Sequence, residues 1–210
     1  MNKLTKFFFI IFMALFSCKE NKELPSKDFP LNVTINNDFK ENIIREKEIK
    51  INIPIGWKVY SEEETKMILK ELNTNSQYKV TFDYFLRLNT DEIYPSCSVI
   101  IRKSREFEEL DFNDFSKMYL KSYRNNLPTI LDGVKSLITN ESNIGNYIDE
   151  KNKTLYCISQ AQVSNEGTIK QIQAIIHKKD YIISIVLNSK PQSFEKYKSS
   201  FSIMVNSVRI

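Results

Sequence analysis

The sequence predicts an α+β domain in which a single antiparallel sheet is flanked by about three helices, an α/β/α sandwich. Three observations lead there. Between Thr154 and Leu187, apolar runs are separated by gaps of only a few residues, which can join only antiparallel neighbours. Three other stretches space their apolar residues as a helix does. Each of those stripes must be buried against something, and a sheet face supplies it. The chain has 210 residues, with 41% apolar and 12% aromatic content, enough for one domain with a sizeable core.

The elements follow in order. Ile49, Ile51 and Ile53 alternate with Lys50 and Asn52, a strand of period two. Pro54-Ile55-Gly56 bends the chain, and Trp57 to Tyr60 resumes the strand. Ser61 is placed to cap a helix, with Glu64 at its third position and Met67, Ile68 and Leu72 on one face, ending near Asn73. Tyr78 to Leu88 and Cys97 to Arg102 read as strands. Asp111 opens a helix whose stripe is Phe112, Phe115, Tyr119 and Tyr123; Pro128 is expected beyond its end. A five-strand meander follows: Val134–Glu141, Ile144–Asp149, Thr154–Ser164, Ile169–His177 and Tyr181–Leu187. Ser189 and Pro191 start a last helix, with Phe194, Tyr197, Phe201, Met204 and Val205 on one face.

The N-terminus carries the clearest signal. Lys3 and Lys6 precede ten apolar residues, Phe7 to Phe16, then Ser17 and Cys18. A basic start, a short apolar run and a small residue form the layout of an export signal. Ten helical residues rise about 15 Å, roughly half the apolar thickness of a bilayer, so the run is too short to span. Leu15-Phe16-Ser17-Cys18 resembles the lipobox of bacterial lipoproteins. That resemblance implies cleavage between Ser17 and Cys18, a diacylglyceryl group on the Cys18 sulfur and acylation of its amine. Two or more acyl chains hold a protein stably on a membrane. Lys19, not Asp, follows the cysteine, which by resemblance to enterobacterial sorting favours the outer membrane, on either its periplasmic or its outer face. Residues 1–17 are thus expected as signal peptide, 18–45 as lipidated cysteine and flexible tether, and 46–210 as the domain. Part of the tether, such as LNVTI at Leu31 to Ile35, is an alternative edge strand.

Pro54-Ile55-Gly56-Trp57 near the domain start resembles the turn of the PsbP-like (Mog/PsbP-like) fold family. So do the order of elements, the late meander and a final helix ending in Ser207-Val208-Arg209. The resemblance implies that fold from Ile49 onward. It implies no shared active site, since most members act by binding proteins.

Catalytic chemistry finds little footing. His177 is the only histidine and is expected exposed at a hairpin end. With only four glycines there is little room for a phosphate-cradling loop, and neither nucleotide-binding nor nucleophile-elbow motifs occur. The 30 basic and 26 acidic residues are interspersed, without the basic stripe a nucleic-acid binder needs. No metal site and no cofactor are expected. Cys97 and Cys157 fall in predicted strands. They either form a disulfide, closing a loop of about 60 residues worth on the order of 4 kcal/mol, or stay two separate buried thiols, the favoured reading. Trp57 and the Phe112 stripe are expected in the core.

These readings converge on an envelope lipoprotein, held to the membrane through Cys18, whose domain is a non-catalytic accessory module for an envelope protein. The alternatives are a small-ligand binder and, less favoured, a hydrolase using carboxylates. Intact mass of the membrane-extracted chain is expected to begin at an acylated Cys18; a free Cys18 thiol there would end the lipoprotein reading.

Overall fold

The computed structural model describes residues 29, 39–44, 49–74, 81–88, 94–103, 110–132, 138–163, 166–178 and 181–210. Among them nine strands and three helices follow one another: β1 Phe39–Ile44, β2 Ile49–Pro54, β3 Trp57–Val59, α1 Glu62–Thr74, β4 Tyr84–Leu88, β5 Ser96–Lys103, α2 Phe112–Asp132, β6 Ile138–Asp149, β7 Thr154–Val163, β8 Gly167–Lys178, β9 Tyr181–Ser189 and α3 Pro191–Asn206.

Seven strands form one antiparallel sheet in the order β3-β4-β5-β9-β8-β7-β6. Side chains alternate across a strand, and both faces of this sheet are covered. On one face Tyr156, Ile158, Ile172, Ala174, Ile176, Ile183, Ile185 and Leu187 meet Phe194, Phe201 and Met204 of α3. On the other, Leu155, Cys157 and Ile175 meet Phe112, Phe115 and Leu120 of α2. The near-continuous apolar runs of β8 and β9 are what a strand buried on both faces requires.

The expected single sheet is corrected: β1 and β2 form a separate two-stranded sheet. The cause lies at the bend. Pro54 closes β2, and Gly56 adopts φ +89°, a left-handed conformation that glycine reaches without steric cost. The chain turns there, so β2 packs beside α3 and only β3 joins the large sheet. Ile49, Ile51 and Ile53 are buried in the α3 core. Asn52 N donates to Ser207 Oγ at 2.8 Å. Lys50 and Arg209 exchange both backbone hydrogen bonds, at 2.9 and 3.0 Å, which ties the last residues to β2.

Three boundaries also move. The expected strands Val134–Glu141 and Ile144–Asp149 are one strand, β6, over its described part, with irregularities at Ile138/Asn140 and Asn143/Gly145. A bulge absorbs an extra residue without ending the strand, so polar Ser142-Asn143 marks a kink, not a turn. Helix α2 continues past Pro128 to Asp132; an interior proline forfeits its own rung and crowds the carbonyl four residues back, which can kink a helix without ending it. The tether expected over 18–45 is shorter at its domain end. Phe39–Ile44 is strand β1, and Phe29 is 3% exposed, its ring 5.3 Å from Tyr147 and 5.4 Å from Tyr156. The segment Leu31 to Ile35 lies outside the described residues.

Burial of Phe29 makes it part of the core. Phe29→Ala is expected to destabilise the domain by about 3 kcal/mol, read as a lower denaturation midpoint at unchanged m-value. A loss under about 0.5 kcal/mol would return Phe29 to the tether.

Candidate functional site

The strands give the domain two ends. One carries the β2–β3 bend and the start of α3. The other carries the β6–β7 turn, the β8 end and residues 208–210. The bend end presents the apolar surface. Ile55 is 69% exposed, the most exposed large hydrophobic residue among those described. Beside it Trp57 is half-buried, its ring 6.3 Å from Tyr197 of α3 and perpendicular to it at 87°. Lys196 Nζ lies 5.3 Å from the Tyr197 ring centroid. This aliphatic and aromatic corner with a cation beside it has the composition of a protein-binding hot spot.

Local sequence fixes the chain that follows the corner. Ser61 and Glu64 form the reciprocal cap of α1: Glu64 N donates to Ser61 Oγ at 3.2 Å, and Ser61 N to Glu64 Oε2 at 2.8 Å. Lys58 Nζ reaches Glu64 Oε1 at 2.6 Å and lies 4.6 Å from the Tyr60 ring centroid. The Lys58 hydrogen bond lowers the Glu64 carboxyl pKa, and the same bond raises that of Lys58. Tyr60 N donates to Phe85 O at 3.0 Å, and the two rings stand edge to face 5.2 Å apart, fixing the chain that leaves β3 to the sheet.

The residues singled out from sequence scatter. Ser17 and Cys18 lie outside the described residues. Cys97 and Cys157 are free and buried, and they belong to the cores on opposite faces of the sheet. Strands β9 and β8 separate β5 from β7, which is three strand spacings, about 14 Å, beyond the ~7 Å a disulfide spans. The favoured reading, two separate buried thiols, therefore holds, and the alternative bridge does not form. His177 is corrected. It is 7% exposed, not open to solvent. Its ring stacks on Phe115 at 5.1 Å and Phe112 at 6.5 Å, because α2 begins directly over the β8 end. Phe112 and Phe115 are core residues as expected, with Tyr119 packed against them; the side chain of Tyr123 lies outside the described set. Trp57 packs against the α3 core from its rim.

Sequence reading missed two features. One is Ile55 with Tyr197: an exposed isoleucine has no pattern to betray it, and Tyr197 reads as one more residue of an apolar stripe. The other is an uncharged polar strip on the α2 face of the sheet. Gln171 Nε2 donates to Asn188 Oδ1, and Gln173 Nε2 to Ser184 Oγ, each at 2.9 Å. Asn188 faces Ser96 in the register, and Ser96 and Ser98 are fully buried. Alternating polar residues in β8 and β9 could have signalled it, but that alternation reads equally as a solvent face.

Burial sets the proton affinity of the interior groups. Desolvation raises the pKa values of Tyr94 and Tyr156, and pushes the Cys97 thiol up to about 12 against a backbone hydrogen bond that lowers it. The native thiol keeps its proton while the unfolded one, with an ordinary value near 9, loses it. Above pH 9 the native state binds more protons than the unfolded state, so stability falls as pH rises, by up to about 1.4 kcal/mol per pH unit. Cys97→Ala is expected to remove that slope between pH 9 and 10 in urea titrations. An unchanged slope would mean the thiol titrates alike in both states.

No protein-family model matches the chain, and no curated protein matches it. Solved structures do. The solution structure of cyanobacterial PsbP (CyanoP) from Synechocystis sp. PCC 6803 aligns with a TM-score of 0.53 at 14% identity, covering 86% of this chain and 99% of that one. A crystal structure from Bacteroides thetaiotaomicron VPI-5482 aligns at 0.44 and 11% identity, over 79% of this chain and 47% of that one. LpqN, involved in cell envelope biogenesis of Mycobacterium tuberculosis, aligns at 0.38 and 8% identity, over 83% and 93%. At such identities a likeness concerns fold alone. The chain has the PsbP-like fold, as its Pro54-to-Trp57 turn and its order of elements led us to expect.

Proposed function

We propose that this chain is a lipoprotein of the bacterial envelope, anchored through Cys18, whose domain binds an envelope protein and performs no catalysis. The observation that carries the reading is the bend corner, where Ile55 at 69% exposure stands two residues before half-buried Trp57, whose ring meets that of Tyr197. Trp and Tyr, packed at a partly buried site, supply the contact area on which protein interfaces concentrate their energy. The interior supports binding over turnover. Its strongly shifted groups, Tyr94, Cys97 and Tyr156, are shifted towards the protonated, unreactive form. His177 is enclosed by two phenyl rings. The anchor is supported by the sequence around Cys18, which follows an apolar run with the layout of an export signal and resembles a lipobox. The outer membrane is the favoured site.

A photocrosslinking residue at Ile55, in cells at native expression, is expected to trap one envelope protein stoichiometrically. The same residue at Lys117, exposed on α2, is expected to trap none. With the captured partner in hand, Trp57→Ala should weaken binding by roughly 30-fold or more. Ile55→Asp should also weaken it while leaving stability within about 0.5 kcal/mol. Background alone at Ile55, with Cys18 acylation verified, would overturn the protein-binding reading in favour of a small-ligand binder.

A further inference from the structure

We propose that the end of the domain opposite the bend is a membrane-docking surface, resting on the anionic head groups of the bilayer that holds Cys18. The inference deepens the reading above and takes the Cys18 anchor from it. Two independent observations carry it: where Phe29 packs in the fold, and how charge is arranged there.

Phe29, the first described residue, packs against Tyr147 and Tyr156. Each tyrosine lies two residues from the end of its strand at the β6–β7 turn, Asp149 and Thr154. Ten residues, 19 to 28, separate Cys18 from Phe29, and a coil of that length spans on the order of 18 Å. From Tyr156 the turn is about 7 Å along the strand. The far end of β7, at Val163, is about 23 Å away. A lipid on Cys18 therefore brings the turn end to the bilayer well before it could bring the bend.

That end is basic. Lys103 closes β5, Lys151 and Lys153 stand in the turn, Lys178 closes β8, and Arg209 pairs with β2; all five are exposed. Among the described residues Lys151, Lys153, Lys178 and Arg209 enter no ion pair. Four carboxylates near this end keep their charge while hydrogen-bonded to the fold, so that with exposed Arg102 the six cations leave an excess of two. Asp149 accepts from Asn152 N and Nδ2, Glu150 from Asn113 Nδ2, Asp111 from Asn113 N, and Asp83 from Ile101 N and Arg102. Lys178 and Arg209, with Val208 and Ile210, line an open concavity of about 460 Å³, which admits a phosphate head group. With 30 basic and 26 acidic residues the chain as a whole is nearly balanced, so the attraction belongs to this end and not to net charge. Each basic residue at an anionic bilayer surface strengthens binding roughly fivefold, within a Debye length of the head groups.

The test uses the lipidated full chain carrying Ile210→Cys, labelled with an environment-sensitive fluorophore. Cys97 and Cys157 are buried and stay unlabelled. With phosphatidylcholine vesicles containing phosphatidylglycerol, label emission is expected to shift to the blue. With phosphatidylcholine alone it should not. The shift should vanish in high salt and in K151E/K153E/K178E, whose thermal midpoint reports that it still folds. Emission of Trp57, the single tryptophan and at the other end, should stay unchanged throughout. Equal label emission in both vesicles, or a shift of Trp57 instead, would overturn the proposal. Intact mass separates this from failure of the anchor. If Cys18 carries no lipid, the full chain is sedimented with the same vesicles. Pelleting that requires phosphatidylglycerol, and drops on the order of 100-fold when the three lysines become alanine, upholds the surface without the anchor. No pelleting at low salt overturns it.

Discussion

The structure depends on one apolar layer, the contact of α3 with the sheet. Phe194 and Phe201 are fully buried there, against a face to which strand alternation delivers β-branched residues from β7, β8 and β9 together. A helix stripe and a sheet face each expose too much apolar surface to stand alone, so each is stable only against the other. The small sheet is recruited by the same layer: β2 adds Ile49, Ile51 and Ile53 to its flank. Phe29 closes it beneath Tyr147 and Tyr156. The surface features follow from it. Trp57 stands where it does because Tyr197 belongs to α3, and Arg209 because Ser207, just after α3, binds Asn52.

The other face is built differently, and the difference serves register. In an antiparallel meander a slip of one residue would turn every side chain over. Strands β8 and β9 are apolar on so many positions that hydrophobicity alone discriminates weakly between registers. The pairs Gln171–Asn188 and Gln173–Ser184 do discriminate. A slip would leave buried amides without partners, each at a penalty of about 1–3 kcal/mol. Neutral amides do this without the larger desolvation cost of ions.

Much of this was legible in the sequence, for identifiable reasons. The three helices and the meander carry strong periodicity, and the Ser61–Glu64 cap is a local code read within four residues. What escaped depends on contacts distant in sequence. Phe29 sits among polar residues with no periodicity, and only Tyr147 and Tyr156 make it core. His177 looks like a hairpin end until α2 is laid over it. Whether β2 joins the large sheet is decided by the path of the chain after Gly56, which alternation cannot report. Cys97 and Cys157 read alike, and only the strand order puts them apart. The bend corner was legible as a motif but not as a surface, since exposure of Ile55 is a property of the finished fold.

The two ends are joined by one rigid element. Helix α3 has 16 residues, about 24 Å. Tyr197, in its first half, stands in the bend corner, and the residues after its last turn, Ser207 to Arg209, are bonded to β2 at the basic end. A helix packed along its length on a sheet transmits position without a hinge. A partner held at the corner and a bilayer met at the basic end would therefore stand at a fixed separation, on the order of the 15 Å that the helix rises from Tyr197 to Ser207. The physical content of an accessory role is then placement. The domain would hold its partner at a set height and orientation above the head groups, which requires stiffness and two opposed surfaces and no reactive group at all.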